Sequence, residues 1–176
     1  GLASSATLYA CITQCLNLAF EYDLSIVDVA AIAYEAEHII NGVLVGKTDT
    51  NAVLNREILL HDYSEIPASL SKLRRFPKNT SIVIVGSSPS SYAETGRKLR
   101  ERVLSADKGI EKYKLNIHML VPVLAKAIDS DDRSLISSTT HEIFKSVCND
   151  LEICNPDYVR MVDIAMESGA YAAKNV

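Results

Sequence analysis

The chain has 176 residues, enough to bury one good core or two small ones that share an edge. Hydrophobic residues make up 48% and charged residues 23%, which excludes a disordered chain, and the net charge of −4 argues against nucleic acid or an anionic membrane as partner. No apolar run is long enough to cross a bilayer and no signal peptide is read at the start, so a cytoplasmic location is the expectation.

From Thr7 to Phe20 the residues Leu8, Cys11, Ile12, Cys15, Leu16 and Ala19 recur at helical spacing. YDLS breaks this pattern. Asp23 and Ser25 are then candidate N-caps, with Asp28 three residues after Ser25 in the manner of a capping box. A second helix is expected from Ile26 to Ile40, ended by Asn41-Gly42. Residues 42–51, GVLVGKTDTN, read as a loop, and 52–62 as an imperfectly alternating strand. A short helix near 66–74 and a turn at PKN follow.

TSIVIVGSS (80–88) is β-branched and bounded by Asn79 and Gly86, so it is the clearest strand in the pattern. A charged helix at about 90–105 carries Arg97, Lys98, Arg100 and Arg102, which read as a solvated face. Residues 110–128 form another helix, with Pro122 as a source of a kink. Arg133 to Cys148 is amphipathic. A last helix opens with Asn155 as N-cap and Pro156 as its first residue, ends at Gly169, and leaves AYAAKNV as a new strand. Of the four cysteines, Cys11 and Cys15 share a helical face and none forms a CxxC pair. Reduced, mostly buried thiols are the expectation and zinc is not.

Two stretches carry chemistry. GLASSA (1–6) places small residues and two serines ahead of a helix, whose first N–H groups have no partner within the helix and suit a phosphate. AYEAEHIINGVLVGKTDTNAV (33–53) puts Glu35 and Glu37 near the negative end of a helix, where a carboxylate calls for a cation nearby. Asp49 follows beside Lys47 in a glycine-flanked loop. A carboxylate for Mg²⁺, an aspartate beside a lysine and a phosphate-binding helix start are the parts phosphoryl transfer requires.

These residues resemble the GHMP kinases. GLASSA is similar to their second signature, and AEH…G…GK-T-D resembles the segment bearing a helix glutamate and the active-site aspartate in the galactokinase and heptose-phosphate kinase branches. THEIFKSV (140–147) and NPDYVRMVDIAMESGAYAAK (155–174) resemble the elements ahead of the third signature. The resemblance implies an α+β fold of two subdomains with helices layered on antiparallel sheet. Residues 1–78 would be the remainder of an ATP-binding subdomain and 79–176 an incomplete C-terminal one.

It further implies an ATP-dependent small-molecule kinase using Mg²⁺. Gly1, Leu2, Ala3, Ser4, Ser5 and Ala6 would hold the phosphates, Ser5 and Glu37 the metal, and Asp49 would orient or deprotonate the substrate hydroxyl. Lys47 would lower the pKa of that hydroxyl. The substrate would be a sugar, with mevalonate or phosphomevalonate as the alternative, because Asp49-Thr50 resembles mevalonate kinases at that place. A non-catalytic ligand-sensing homologue is the reading of another class, and a homodimer remains an option. The family's first signature and its glycine-rich third signature are not found in the sequence. The resemblance therefore implies a piece of such an enzyme, inactive by itself, of which Gly1 is not the natural start.

Overall fold

The computed structural model describes residues 3–41, 46–56, 58–62, 69–73, 77, 79–85 and 92–175, and of 92–94 the backbone alone. The chain divides into two compact units, Gly1–Lys72 and Leu73–Val176. Its content is α+β, dominated by helix, with one two-stranded antiparallel sheet among the described residues.

The first unit contains helices α1 (Ser4–Ala19), α2 (Ile26–Asn41) and α3 (Lys47–Asn55), each of which packs on the other two, and strands β1 (Leu59–Asp62) and β2 (Ser69–Lys72). Its core is made of small side chains. Ala6, Ala10, Thr13 and Asn17 line the buried face of α1, while Val29, Ala30, Ala33 and Glu37 do so on α2. Short side chains let the helix backbones approach closely, so this face is narrow.

The more apolar stripe of α1 points the other way. Leu8 is 57% exposed, Ile12 48% and Leu16 49%, and Cys11 and Cys15 are exposed free thiols. Periodicity finds the stripe but does not say which side the neighbouring helices take, so the expectation of mostly buried thiols fails here.

The turn between α1 and α2 is fastened by Asn17. Its amide donates to the Leu24 carbonyl at 3.2 Å and accepts from the Leu24 N–H at 2.9 Å. The Ser25 box forms as expected, with Asp28 accepting from the Ser25 N–H at 3.1 Å and Ser25 Oγ accepting from the Asp28 N–H at 3.2 Å.

Lys47 to Asn51 is not loop but the first turns of α3, which opens at Gly46 and closes where Arg56 turns left-handed at φ 55°. The expected strand at 52–62 shrinks to β1, because α3 gains tertiary contacts against α1 and α2 that its local pattern does not reveal. The helix expected near 66–74 is in part strand: β2 pairs with β1 from Leu59 opposite Lys72 to Asp62 opposite Ser69.

The second unit holds α4 (Tyr92–Leu104), α5 (Lys108–Asp129), α6 (Arg133–Asn149) and α7 (Pro156–Glu167). Helices α5 and α6 pack together, and Ile110, Ala125, Ala127, Ile136, Ile143, Phe144, Leu151 and Val162 are buried. Each of α5, α6 and α7 begins at a side-chain cap. Asp107 accepts from the N–H groups of Gly109 and Ile110, Asp132 from that of Leu135, and Asn155 from that of Tyr158. Pro122 lies inside α5, and Pro156 occupies the first turn of α7 as expected.

Residues 81–85 are not in a ladder. Ile82, Val83, Ile84 and Val85 are 64–81% exposed, and no described segment pairs with them. The expected strand at AYAAKNV is likewise irregular over 170–175. A strand needs a partner as well as β-branched residues, and composition supplies only the second.

Arg102 departs from the solvated face expected of its helix. Its guanidinium donates to the Asp107 carboxylate at 2.7 Å and to the carbonyls of Asp150 and Leu151 at 2.9 and 2.5 Å. This fork ties the end of α4 to the loop after α6. Gly109 sits underneath, where an added Cβ would collide with the Asp150 carbonyl and crowd the Arg102 guanidinium. Asp150 itself is buried and accepts from Ser146 Oγ at 2.6 Å, Lys112 Nζ at 2.8 Å and Asn116 Nδ2 at 2.9 Å. Cys148 and Cys154 form a disulfide across the same loop, which replaces the reduced pair expected from sequence. The two cysteines flank a helix end that brings their Cα atoms to 4.8 Å, a proximity no linear spacing rule anticipates.

Candidate active site

Two of the expected phosphate-binding residues, Gly1 and Leu2, lie outside the described residues. From Ala3 onward the turn is defined. Ala3 takes a left-handed conformation, φ 57° and ψ 25°, and α1 has no side-chain cap. Thr7 donates the first intrahelical bond, to the Ala3 carbonyl at 2.8 Å. The N–H groups of Ser4, Ser5 and Ala6 precede it and are the orphan donors of an α-helix start. An uncapped helix start with small residues leaves N–H groups that could hold an anion.

Ser5 and Glu37 meet at this terminus. Ser5 Oγ donates to Glu37 Oε1 at 2.5 Å, joining the first turn of α1 to the end of α2. Glu37 is 4% exposed, whereas Glu35 is exposed on the other side of the helix. The placement of a carboxylate near the negative end of α2 now has a compensation: its head group lies at the positive end of α1.

That same carboxylate would repel a phosphate bound at the α1 terminus. A divalent cation between the two removes the conflict, and a hydroxyl and a carboxylate 2.5 Å apart are the hard oxygen donors that Mg²⁺ prefers. Among the described residues no three His, Cys, Asp or Glu side chains gather as a metal cluster. Phosphate and water would therefore complete the coordination, as is usual for Mg²⁺.

Thr50, which the sequence reading used only for the Asp49-Thr50 resemblance and gave no role in the site, adds a third mark. Its side chain is 1% exposed and its hydroxyl has no hydrogen-bond partner among the described residues. A buried orphan hydroxyl costs stability, so its retention one residue after Asp49 calls for a reason. In the sequence Thr50 stands between Asp49 and Asn51, where a threonine in a polar loop and one in a buried helix read alike.

Asp49 and Lys47 lie in the first turn of α3, not in the loop expected for them. Asp49 is exposed and favourably placed at the positive end of its helix. On a helix, residues two apart face different directions, so Lys47 does not flank Asp49 as the loop reading had it. The Lys47 ammonium instead lies 4.7 Å from the centre of the Tyr34 ring, and Tyr34 stacks with His38 at 6.2 Å.

Within the second unit, a separate cleft of about 670 Å³ opens between α6 and α7, lined in part by Arg133, Ser134, His141, Asp163, Glu167 and Tyr171. Sequence reasoning assigned none of these residues a role. Among the described residues no helix is long and apolar enough to cross a membrane.

Residues 1–56 match the family model described as GHMP kinases N terminal domain. No curated protein and no solved structure matches the chain. The matched stretch contains the α1 terminus, Glu37, Lys47 and Asp49, and over these residues the chain is similar to the N-terminal domain of the GHMP kinases.

Proposed function

We propose that this chain serves an ATP-dependent kinase that transfers the γ-phosphoryl group to a hydroxyl of a small molecule. The observation that carries the reading is the 2.5 Å contact between Ser5 and a buried Glu37 at an uncapped helix start. The residues present fit Mg²⁺-ATP: the N–H groups of Ser4, Ser5 and Ala6 would hold phosphate, and Ser5 Oγ with Glu37 would hold the metal. Bound there, Mg²⁺-ATP supplies the transferable phosphoryl group and neutralises its charge. Asp49 would accept the proton of the acceptor hydroxyl and hold that oxygen in line, with a helix terminus behind it to steady its charge.

Lys47 is engaged with Tyr34, so its proposed part is to add positive potential near the site rather than to pair with Asp49. A sugar acceptor is favoured and a mevalonate-type acceptor is the alternative. The separation of Lys47 from Asp49 also favours a second reading, a homologue that binds nucleotide without turnover.

The test is ADP release by the full-length protein with galactose, heptose phosphates, mevalonate and mevalonate phosphates, alongside fluorescent-ATP binding. Turnover with one acceptor, lost in Asp49→Ala while ATP still binds, supports the kinase. ATP binding without turnover on any acceptor supports the binding-only homologue. An Asp49→Ala protein with full activity overturns the catalytic assignment.

A further inference from the structure

Helix α4 stands apart in the second unit. Helices α5, α6 and α7 each bury side chains, whereas none of the described side chains of α4, residues 95–104, is buried. Near its end Val103 is 47% exposed and Leu104 77%. A helix without a buried face depends on individual tethers rather than on packing, and it opens at low cost.

Arg102 is such a tether. Its Nη1 donates to the Leu151 carbonyl and its Nη2 to the Asp150 carbonyl, so the end of α4 hangs on two backbone oxygens of the loop after α6. These two oxygens are secured differently. The Asp150 side chain is fastened by Ser146, Asn116 and Lys112 whatever the rest of the loop does. Beyond Leu151 the loop has little to hold it. Among the described residues the backbone groups of 152–154 join no backbone hydrogen bond. Glu152, whose N–H shares a peptide plane with the Leu151 carbonyl, is left-handed at φ 56°, a conformation that a non-glycine residue keeps only when its surroundings impose it.

The constraint that imposes it is the bond between Cys148 and Cys154, which closes the loop on either side of these residues. Both cysteines are part-exposed, so a small thiol can reach the sulfur atoms. Helices α5 and α6 pack through Ile110, Ile136, Ile143 and Phe144, none of which lies in the loop. Opening the bond therefore acts on the loop and on what hangs from it.

We propose that Cys148–Cys154 is a thiol-responsive clasp that sets how firmly α4 is held, acting through the Leu151 carbonyl and Arg102. A dithiol reductant opens it. Its thiolate attacks one sulfur and releases the other cysteine, and its second thiol then attacks the mixed disulfide and frees the first. Two electrons and two protons pass to the cysteines, and the reductant leaves as its own disulfide. No residue of the first unit takes part, so the proposal stands apart from the kinase reading.

The experiment is hydrogen-exchange mass spectrometry on the native full-length protein before and after dithiothreitol, with alkylation to count thiols. Dithiothreitol should open the bond without denaturant. Protection over 95–104 should then fall at least about tenfold while that over 110–128 and 133–146 changes less than about twofold, and oxidised glutathione should restore it. The Cys148→Ser, Cys154→Ser double variant should exchange in α4 like the reduced protein and ignore the reductant, although it keeps Cys11 and Cys15. In Arg102→Met, α4 should exchange fast in both states. Equal α4 protection in oxidised and reduced parent overturns the proposal, as does a bond that never forms or that opens only in denaturant. A response of Arg102→Met or of the double serine variant as large as the parent's also overturns it. Equal loss of protection across α5 and α6 would make the bond a staple of the whole unit and overturn it too.

Discussion

The two units treat their polar groups in opposite ways. In the second, α5, α6 and α7 are each capped by a side chain, and Asp150 is matched by a hydroxyl, an ammonium and an amide. In the first, α1 and α3 begin without a side-chain cap, Thr50 keeps an orphan hydroxyl, and Glu37 is buried against one serine. Only α2, with its Ser25–Asp28 box, is finished in the manner of the second unit. Polar groups satisfied within the chain stabilise it, whereas groups left open stabilise only a complex. The contrast therefore sets helix starts finished by side chains beside helix starts left open, and the proposed nucleotide site lies at one of the open ones.

Substitutions can break that contrast from either side. The largest effect is expected at Glu37. Glu37→Gln keeps the size and the Ser5 contact but removes the charge that a metal needs, so phosphotransfer by the full-length protein should fall at least about 100-fold while the thermal midpoint barely moves. A comparable loss of stability would instead make Glu37 a structural residue.

In the second unit, opening the Cys148–Cys154 disulfide releases a loop closed over a sequence separation of 6 and should cost about 2 kcal/mol. Chemical denaturation with and without a reductant measures this, with the double serine variant as a control that no longer responds.

Next comes Thr50. Because its hydroxyl has no partner among the described residues, Thr50→Val should raise stability by about 1 kcal/mol and, if the orphan faces a ligand, weaken nucleotide binding at the same time. Stability and binding moving together would argue that the hydroxyl has no such use.

The smallest effect is a pH dependence. Lys112, and then Ser146 and Asn116, hold the Asp150 carboxyl below the ordinary aspartate range against the opposing effect of burial. A depressed folded value means the stabilisation is fully present above the unfolded pKa of about 3.9 and is lost as pH falls through the folded value. Thermal scans should therefore show Asp150→Asn less stable than the parent at neutral pH, with the difference shrinking in acid.

Much of the helical framework was legible in the residues. Ser25 with Asp28, and Asn155 with Pro156, mark helix starts by local chemistry that does not depend on the rest of the fold. What was not legible depended on a distant partner. Residues 81–85 have the composition of a strand without a described ladder, and Ser69–Lys72 has little β-propensity yet pairs with β1. Arg102 looked solvated because the carbonyls it serves lie 48 and 49 residues away.

The candidate site shows the same division. Ser5 and Glu37 were singled out from separate stretches, but their direct contact comes from the packing of α1 on α2. Lys47 and Asp49 read as loop residues but stand in the first turn of α3, because the packing of α3 on α1 and α2 is not written in the local pattern.

The sulfur atoms provide a readout of this division. Cys11 and Cys15 stand exposed one helical turn apart on α1, while Cys148 and Cys154 are bonded to each other beside α7. A thiol-reactive dye should count two sites on the intact protein and four after reduction. Its first pair labels the first unit and leaves the second untouched. One molecule thus carries separate, orthogonal handles for watching each unit while the other is left alone.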